Sequence, residues 1–246
     1  MTISASNVIK NLIYLCCAAL TGCLLNTSQS RMTAEHAARI TKVGVLSLVN
    51  RQPYISYLSI SAMESKFSST VLEGWDADAL VYEKVGARLR RKGFEVIRIR
   101  RDDSSFGIAE SKWGYRDTGE IHERVYQAGA AKGLDMVVVV YPDIAQDYVT
   151  HTNQNIRGYG FQKAFDTGVF AYAAIAIEAI DVKRQFVVGR AGGRQVAPLT
   201  ESVWRPRYET GSGVQAIRES HRTTIFDSLS VLLTNAIGIA AQESGI

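Results

Sequence analysis

The sequence predicts an α/β domain: a small mixed sheet built from two βαβ units and an antiparallel hairpin, with a long C-terminal helix. Three observations support this class. Segments with β-strand character alternate with segments of helical period in the first half of the chain. A run of about a dozen apolar residues then breaks this alternation, and helical spacing returns at the C-terminus.

The first βαβ unit starts with residues 42–49 (KVGVLSLV), which are β-rich and have no helical period. A partial strand or hairpin is expected within residues 53–70. Asp76 is a candidate N-cap for a helix that ends at Gly93. The apolar positions of this helix are Leu80, Val81, Val85 and Leu89. Residues 94–100 (FEVIRIR) then alternate apolar and polar side chains, which is typical of a half-buried strand.

The second unit begins where Asp117, with Glu120 three residues later, forms a capping-box pattern. The helix that follows ends at Gly133. Residues 134–141 (LDMVVVVY) form a nearly continuous β-branched run, as expected for a strand that is covered on both faces. Two successive βαβ crossovers predict a parallel core with right-handed connections.

Residues 169–180 (VFAYAAIAIEAI) and residues 185–188 are predicted to form an antiparallel hairpin that closes the sheet. The alternative is an alanine-rich helix, because alanine favours helix. Residues 217–240 place apolar side chains at helical spacing, which predicts a long amphipathic helix over one sheet face.

The N-terminus resembles the signal of a bacterial lipoprotein. Lys10 precedes an apolar run, residues 12–20 (LIYLCCAAL), of the length expected for a signal peptide. The run ends in Leu20-Thr21-Gly22-Cys23, which is similar to a lipobox. We therefore expect a signal peptide at residues 1–22, a flexible tether at 23–41 and a single globular domain at 42–246. The alternatives are an ordinary cleaved signal and a retained anchor.

Cysteine usage favours the lipoprotein signal. Cys16 and Cys17 lie inside the apolar run and would be removed, which leaves Cys23 as the only cysteine of the mature chain. The resemblance implies acyl chains, palmitate among them, on Cys23, and two or more chains give stable membrane attachment. It also implies the inner leaflet of the outer membrane, facing the periplasm, because Leu24 rather than aspartate follows the cysteine.

Composition and motifs exclude several function classes. The formal net charge of +4 on 246 residues provides no electrostatic basis for binding nucleic acid. The chain has no G-x-S-x-G elbow, no S-x-x-K pair, no H-E-x-x-H, no EF-hand loop and no Walker A sequence. We therefore expect no catalytic residue, no cofactor and no metal. His36, His122, His151 and His221 show no metal-ligand spacing.

One candidate binding site follows the most apolar predicted strand. Asp143, Asp147 and His151 come after its carboxyl end, where α/β proteins bind ligands. The alternative is that the aspartates bind their own backbone in a turn. Residues 144–167 are predicted to form a long loop, and its aromatic residues, Tyr148, Tyr159 and Phe161 among them, would suit a partner or glycan surface. The alternative is an irregular strand whose aromatics point inward.

Two further segments have a structural interpretation, with ligand binding as the alternative. The glycine-rich residues 189–194 (GRAGGR) are interpreted as turn geometry, with anion binding as the alternative. Arg98, Arg100 and Arg101 are interpreted as the solvated end of a strand, with contact to lipid headgroups or anionic glycans as the alternative.

The order of elements behind the lipobox resembles a group of periplasmic lipoprotein domains. The group includes the curli-secretion lipoprotein, the TolB amino-terminal domain and lipoprotein activators of peptidoglycan synthases. The resemblance covers residues 42–246 in element order only. It implies a non-enzymatic envelope protein that acts in assembly, secretion or partner binding, with an envelope protein or a second copy as the partner. The alternative is a periplasmic enzyme or solute-binding protein that uses Asp143, Asp147 and His151.

Overall fold

The computed structural model describes residues 29–59, 65–101, 118–149, 155–164, 167–208 and 216–246. In these ranges the helices are α1 (Ala34–Ala37), α2 (Ala77–Arg91), α3 (Thr118–Ala131) and α4 (Arg222–Ser244). Short 3₁₀ helices are present at Glu201–Val203, Pro206–Tyr208 and Glu219–His221. The strands are β1 (Lys42–Ser47), β2 (Tyr54–Leu58), β3 (Lys66–Ser69), β4 (Glu95–Ile99), β5 (Met136–Pro142), β6 (Ile144–Gln146), β7 (Asn155–Ala164), β8 (Val169–Asp181) and β9 (Phe186–Leu199).

The long hairpin of β8 and β9 is the centre of the sheet. β9 pairs along the whole of one edge of β8. The other edge of β8 is shared, because residues 175–181 pair with β5 and residues 169–174 pair with β7. The first arm continues from β5 to β1 and β4, all parallel to one another. The second arm continues from β7 to its parallel neighbour β2 and then to the antiparallel β3.

The predicted fold class is confirmed. β1–α2–β4 and β4–α3–β5 are the two βαβ units, the apolar run forms the predicted hairpin rather than a helix, and β2 and β3 form a hairpin within residues 53–70. The predicted helix boundaries hold for α2: the Asp76 side chain accepts from the Ala79 N–H at 2.9 Å, and Gly93 has a φ of +90°. Asp117 lies outside the described residues.

Two helices cover one face of the sheet and α3 covers the other. Val81, Val85 and Leu89 of α2 lie in one core with Leu229 and Leu233 of α4. On the opposite face, Val125 of α3 packs in a second core. All seven residues of β5 are buried, which explains its continuous apolar sequence.

The glycines of residues 189–194 lie inside β9 and not in a turn, so the turn interpretation is wrong. A Cβ at Gly193 would lie 1.9 Å from the Ala236 carbonyl oxygen, and a Cβ at Gly189 would lie 2.5 Å from the Ser244 carbonyl oxygen. Both carbonyls belong to α4. The missing side chains therefore allow the C-terminal helix to pack directly on the backbone of β9.

Part of the expected tether contacts the domain. Ser30 forms an antiparallel bridge with Arg190 on the outer edge of β9. The Met32 N–H donates to the Ser244 carbonyl at 2.8 Å, and the Met32 side chain is buried. Thr33 caps α1 by accepting from the His36 N–H. The N-terminal segment is thus joined to the sheet through Ser30 and to the end of α4 through Met32.

The segment predicted as a long loop contains two strands instead, so this prediction is wrong. β6 and β7 pair with each other, and β7 then crosses to pair with β8 and β2. Tyr159 and Phe161 are buried in β7, as in the inward-packing alternative. Gly160 of β7 allows the close approach of β2, because a Cβ there would lie 2.0 Å from the Tyr54 carbonyl oxygen.

Residues Glu219–Ser244, in the part of the chain that the structure covers, form a helical stretch long and apolar enough to cross a membrane. In this structure the stretch packs against β8 and β9, with Ile225, Leu229 and Leu233 in the core. Its apolar character therefore has an explanation in the packing of the domain, as predicted for the amphipathic C-terminal helix.

Candidate functional site

The sequence singled out seven residues for lipidation or binding, and five of them can be placed. Cys23 and His151 lie outside the described residues. Tyr159 and Phe161 are fully buried and belong to the core. Asp143, Asp147 and Tyr148 lie in the segment that follows β5, and this segment contacts the β8–β9 hairpin.

Asp143 and Tyr148 meet at Arg194 of β9. The Arg194 guanidinium lies 3.2 Å from Oδ2 of Asp143 and 6.0 Å from the centroid of the Tyr148 ring. The Tyr148 hydroxyl donates to the carbonyls of Ala173 and Gln195, at 2.8 and 3.2 Å. Burial raises the pKa of this hydroxyl well above its ordinary value. The cluster joins the segment around β6 to the central hairpin.

Asp147 is 4% exposed, and its Oδ1 accepts from the Val149 N–H at 2.8 Å. This is a local turn contact, of the kind that aspartate often makes two residues along the chain. Asp143 and Asp147 thus both have structural partners.

The Tyr159 hydroxyl connects the segments that precede α2 and β2. It accepts from Nε1 of Trp75 and donates to the Asn50 carbonyl, both at 2.8 Å. Burial raises the pKa of this hydroxyl too. The side chain therefore holds Trp75 in place and is not available as an exposed platform.

A buried carboxylate cluster lies between α3 and the sheet. Glu178 of β8 is 2% exposed and faces His122, Tyr141 and Arg190. Nε2 of His122 lies 2.8 Å from Oε2, and the Arg190 guanidinium lies 2.5 Å from Oε1. Burial raises the pKa of Glu178, but the hydrogen bonds from His122 and Tyr141 and the charge of Arg190 outweigh it, so the pKa lies below its ordinary value.

The cluster has a clear structural role. Arg190 is the residue whose backbone pairs with Ser30, so one residue links the buried carboxylate to the N-terminal segment. His122 contributes to the cluster from α3, and its side chain is 17% exposed.

A cavity of about 520 Å³ lies at the carboxyl ends of β1 and β4, beside the first turns of α2. The residues that define it are Ser47, Arg51, Trp75, Asp78, Tyr82 and the arginines 98, 100 and 101. The three arginines were predicted to lie at the solvated end of a strand, and β1, α2 and β4 bring them to the same cavity as Asp78.

Asp78 orders one wall of the cavity. Its Oδ1 accepts from the Ser47 hydroxyl at 2.5 Å and lies 3.6 Å from the Arg101 guanidinium. Arg101 also donates to the backbone carbonyls of Ser47 and Val49. This network fixes Arg101, whose side chain is 17% exposed, at the end of β1.

Within the described ranges, no group of three or more histidine, cysteine, aspartate or glutamate side chains could hold a metal ion. His36 contacts Thr33 and the ring of Phe186, and His221 ends a 3₁₀ helix before α4.

Comparisons with known proteins give only distant matches. No protein-family model matches the chain, and no curated protein matches it either. Solved structures that are similar include a PelC dodecamer from Paraburkholderia phytofirmans, at 15% identity and a TM-score of 0.38 over 88% of this chain and 94% of that one. Lipoprotein GNA1162 from Neisseria meningitidis is 10% identical, with a TM-score of 0.34 over 79% of this chain and 99% of that one. The C-terminal domain of LpoB from Salmonella enterica is 9% identical, with a TM-score of 0.30 over 63% and 83%. The neighbours thus include bacterial lipoproteins, at a similarity too low to assign a family or a function to this chain.

Proposed function

We propose that this chain is a bacterial lipoprotein that is acylated on Cys23 and presents a non-enzymatic α/β domain at the cell envelope. The observation that carries the proposal is the sequence Leu20-Thr21-Gly22-Cys23 at the end of a short apolar run with a basic flank. Acylation also accounts for the single cysteine of the mature chain, because a thiol modified by lipid cannot form unwanted disulfides in an oxidising compartment.

The position of Ser30 makes the proposed anchor short. Six residues lie between Cys23 and Ser30, and an extended chain over these seven Cα-to-Cα steps spans at most about 25 Å. A free tether that continued to residue 41 would reach about 60 Å by the same measure. An acylated Cys23 would therefore hold the edge of β9 near the membrane surface, which suits a protein that works on other envelope components.

The intact mass of the membrane-extracted protein tests the anchor. We expect the loss of residues 1–22 and a gain of acyl mass on Cys23. Cys23→Ala abolishes both changes, whereas Cys17→Ala, which alters a neighbouring cysteine inside the signal, is processed normally. An unmodified mature chain would refute the anchor and would leave a secreted domain.

We propose partner binding, with an envelope protein or a second copy, as the role of the domain. It is supported by the absence of nucleophile and metal-site motifs in the sequence and by the structural partners of Asp143 and Asp147. Cross-linking in intact cells, followed by sizing of the detergent-extracted protein, tests it. A cross-linked species of defined mass is expected, and a monomer with no specific adduct would contradict the proposal.

The enzyme or solute-binder alternative is tested by the triple variant Asp143→Ala/Asp147→Ala/His151→Ala. If the cross-linked species and the cellular phenotype are unchanged, these three residues are not required for the function of the protein. Loss of a measurable activity in a variant that still folds would instead favour the alternative.

A further inference from the structure

We propose that the cavity at the carboxyl ends of β1 and β4 binds an oxyanion, phosphate or carboxylate, carried by a small ligand. The position is the one where α/β sheets bind ligands, beyond the carboxyl ends of parallel strands and next to the start of a helix. A volume of about 520 Å³ falls in the range of small-molecule sites.

The charge of the lining favours an anion. Four guanidinium groups, from Arg51, Arg98, Arg100 and Arg101, face the cavity with two carboxylates, from Asp76 and Asp78. Both carboxylates already have partners within the protein. Asp76 accepts from the Ala79 N–H as the N-cap of α2, and Asp78 accepts from Ser47 and pairs with Arg101.

Arg98 and Arg100 are therefore the residues best placed to receive the ligand. They are exposed at the end of β4, and no ion pair joins either of them to a carboxylate of the described residues. The Arg98 guanidinium lies 5.6 Å from the centroid of the Tyr82 ring, which orients it. A planar guanidinium in a fixed position can donate two hydrogen bonds to one phosphate or carboxylate.

The size of the cavity restricts the ligand. A phosphorylated or uronic monosaccharide would fit, and so would the glycerophosphate headgroup of a lipid. The shared chemistry is one oxyanion among guanidinium groups, and these sources can be separated by experiment.

Calorimetric titration of the full-length protein in nonionic detergent tests the proposal with three probes: inorganic phosphate, glucuronate and glycerophosphoglycerol. We expect saturable binding of at least one probe, with affinity that falls as salt is added. Selective binding of glycerophosphoglycerol indicates a lipid headgroup, whereas equal or tighter binding of phosphate or glucuronate indicates a free ligand.

Arg98→Gln/Arg100→Gln is expected to weaken binding by about tenfold or more, because two charge-assisted contacts are lost. The matched control is Arg91→Gln/Lys132→Gln, which removes the same charge from exposed positions outside the cavity and changes affinity by less than about twofold. Arg98→Lys keeps the charge but loses the planar donors, so an intermediate loss is expected. Circular dichroism confirms that each variant is folded.

Binding of none of the three probes would overturn the proposal. So would an equal loss in the cavity variant and in the control, because that result shows attraction by overall charge. Neither outcome depends on Cys23, so the oxyanion site and the lipid anchor stand or fall separately.

Discussion

Ser30 and Arg190 exchange both of their backbone hydrogen bonds, at N···O distances of 3.0 and 2.7 Å. Arg190 is also the residue whose guanidinium reaches the buried carboxylate of Glu178. The first described residues of the chain are thus connected, through one side chain, to the interior of the sheet.

Ser30→Pro is expected to release this N-terminal segment. Proline lacks the N–H that donates to the Arg190 carbonyl, so the bridge is lost. Hydrogen exchange at the Arg190 amide should become roughly tenfold faster or more, while the free energy of unfolding changes by only about 1 kcal/mol. Ser30→Ala keeps both backbone groups and should leave the exchange unchanged. Equal exchange in the proline variant and the wild type would show that the bridge does not form in solution.

Gly193→Ala is expected to destabilise the domain by about 2–4 kcal/mol, because the new Cβ would collide with the Ala236 carbonyl and push α4 from the sheet. Gly192→Ala is the matched control. At that position the nearest atom, Oδ2 of Asp143, would lie 3.5 Å away, which is ordinary contact, so a change below about 1 kcal/mol is expected. Urea unfolding of the two variants measures the difference, and similar values for both would refute the direct packing of helix on strand.

Glu178→Gln is expected to cost about 2–4 kcal/mol at pH 7, because Arg190 and His122 lose their buried anionic partner. The pKa of Glu178 is lower in the folded chain than its ordinary value of 4.5. The carboxylate therefore stabilises the fold fully above about pH 4.5, and this contribution is lost as the pH falls below that value.

Unfolding experiments at pH 7 and in the acid range check this dependence. The gap between wild type and Glu178→Gln should narrow as the pH falls below 4.5. Tyr141→Phe, which removes one donor and no charge, should cost about 1 kcal/mol. A gap that widens in acid would show that folding raises the pKa of Glu178 and would contradict the prediction.

Asp147→Ala and Asp143→Ala are expected to differ. Asp147 is buried and satisfies the Val149 N–H, so its loss should cost about 1–3 kcal/mol. Asp143 pairs with an Arg194 side chain that is 51% exposed, so its loss should cost less than about 1 kcal/mol. Thermal unfolding compares the two. If both variants keep wild-type stability and lose a biological activity, the aspartates are functional rather than structural.

Local sequence patterns predicted most of the first arm and the central hairpin. α2 and β4 have clear periods, β1 and β5 are continuous β-rich runs, and the positions of Asp76 and Gly93 mark helix ends through local backbone chemistry. Such signals need no knowledge of distant residues.

The predictions that were wrong concern segments whose structure depends on contacts with residues distant in sequence. β7 (NIRGYGFQKA) has no clean alternation, because consecutive residues that point to opposite faces of the sheet are both buried. Gly189 and Gly193 of β9 are explained by carbonyls of α4, at Ser244 and Ala236, which are distant in sequence. The cavity could not be predicted for the same reason: Arg98, Arg100 and Arg101 are close in sequence, but Ser47, Trp75 and Asp78 reach them only through the βαβ crossover.

The pairing of β2 with β7 also affects how the chain folds during its synthesis. β2 pairs in parallel with β7, which follows about 100 residues later, so the β2–β3 hairpin has no partner strand until most of the domain is present. Pairings of such long range form slowly, and an unpaired strand edge is prone to associate with other chains in the meantime. During synthesis from the N-terminus, this interval makes the β2–β3 hairpin the part of the sheet that waits longest for its partner strand.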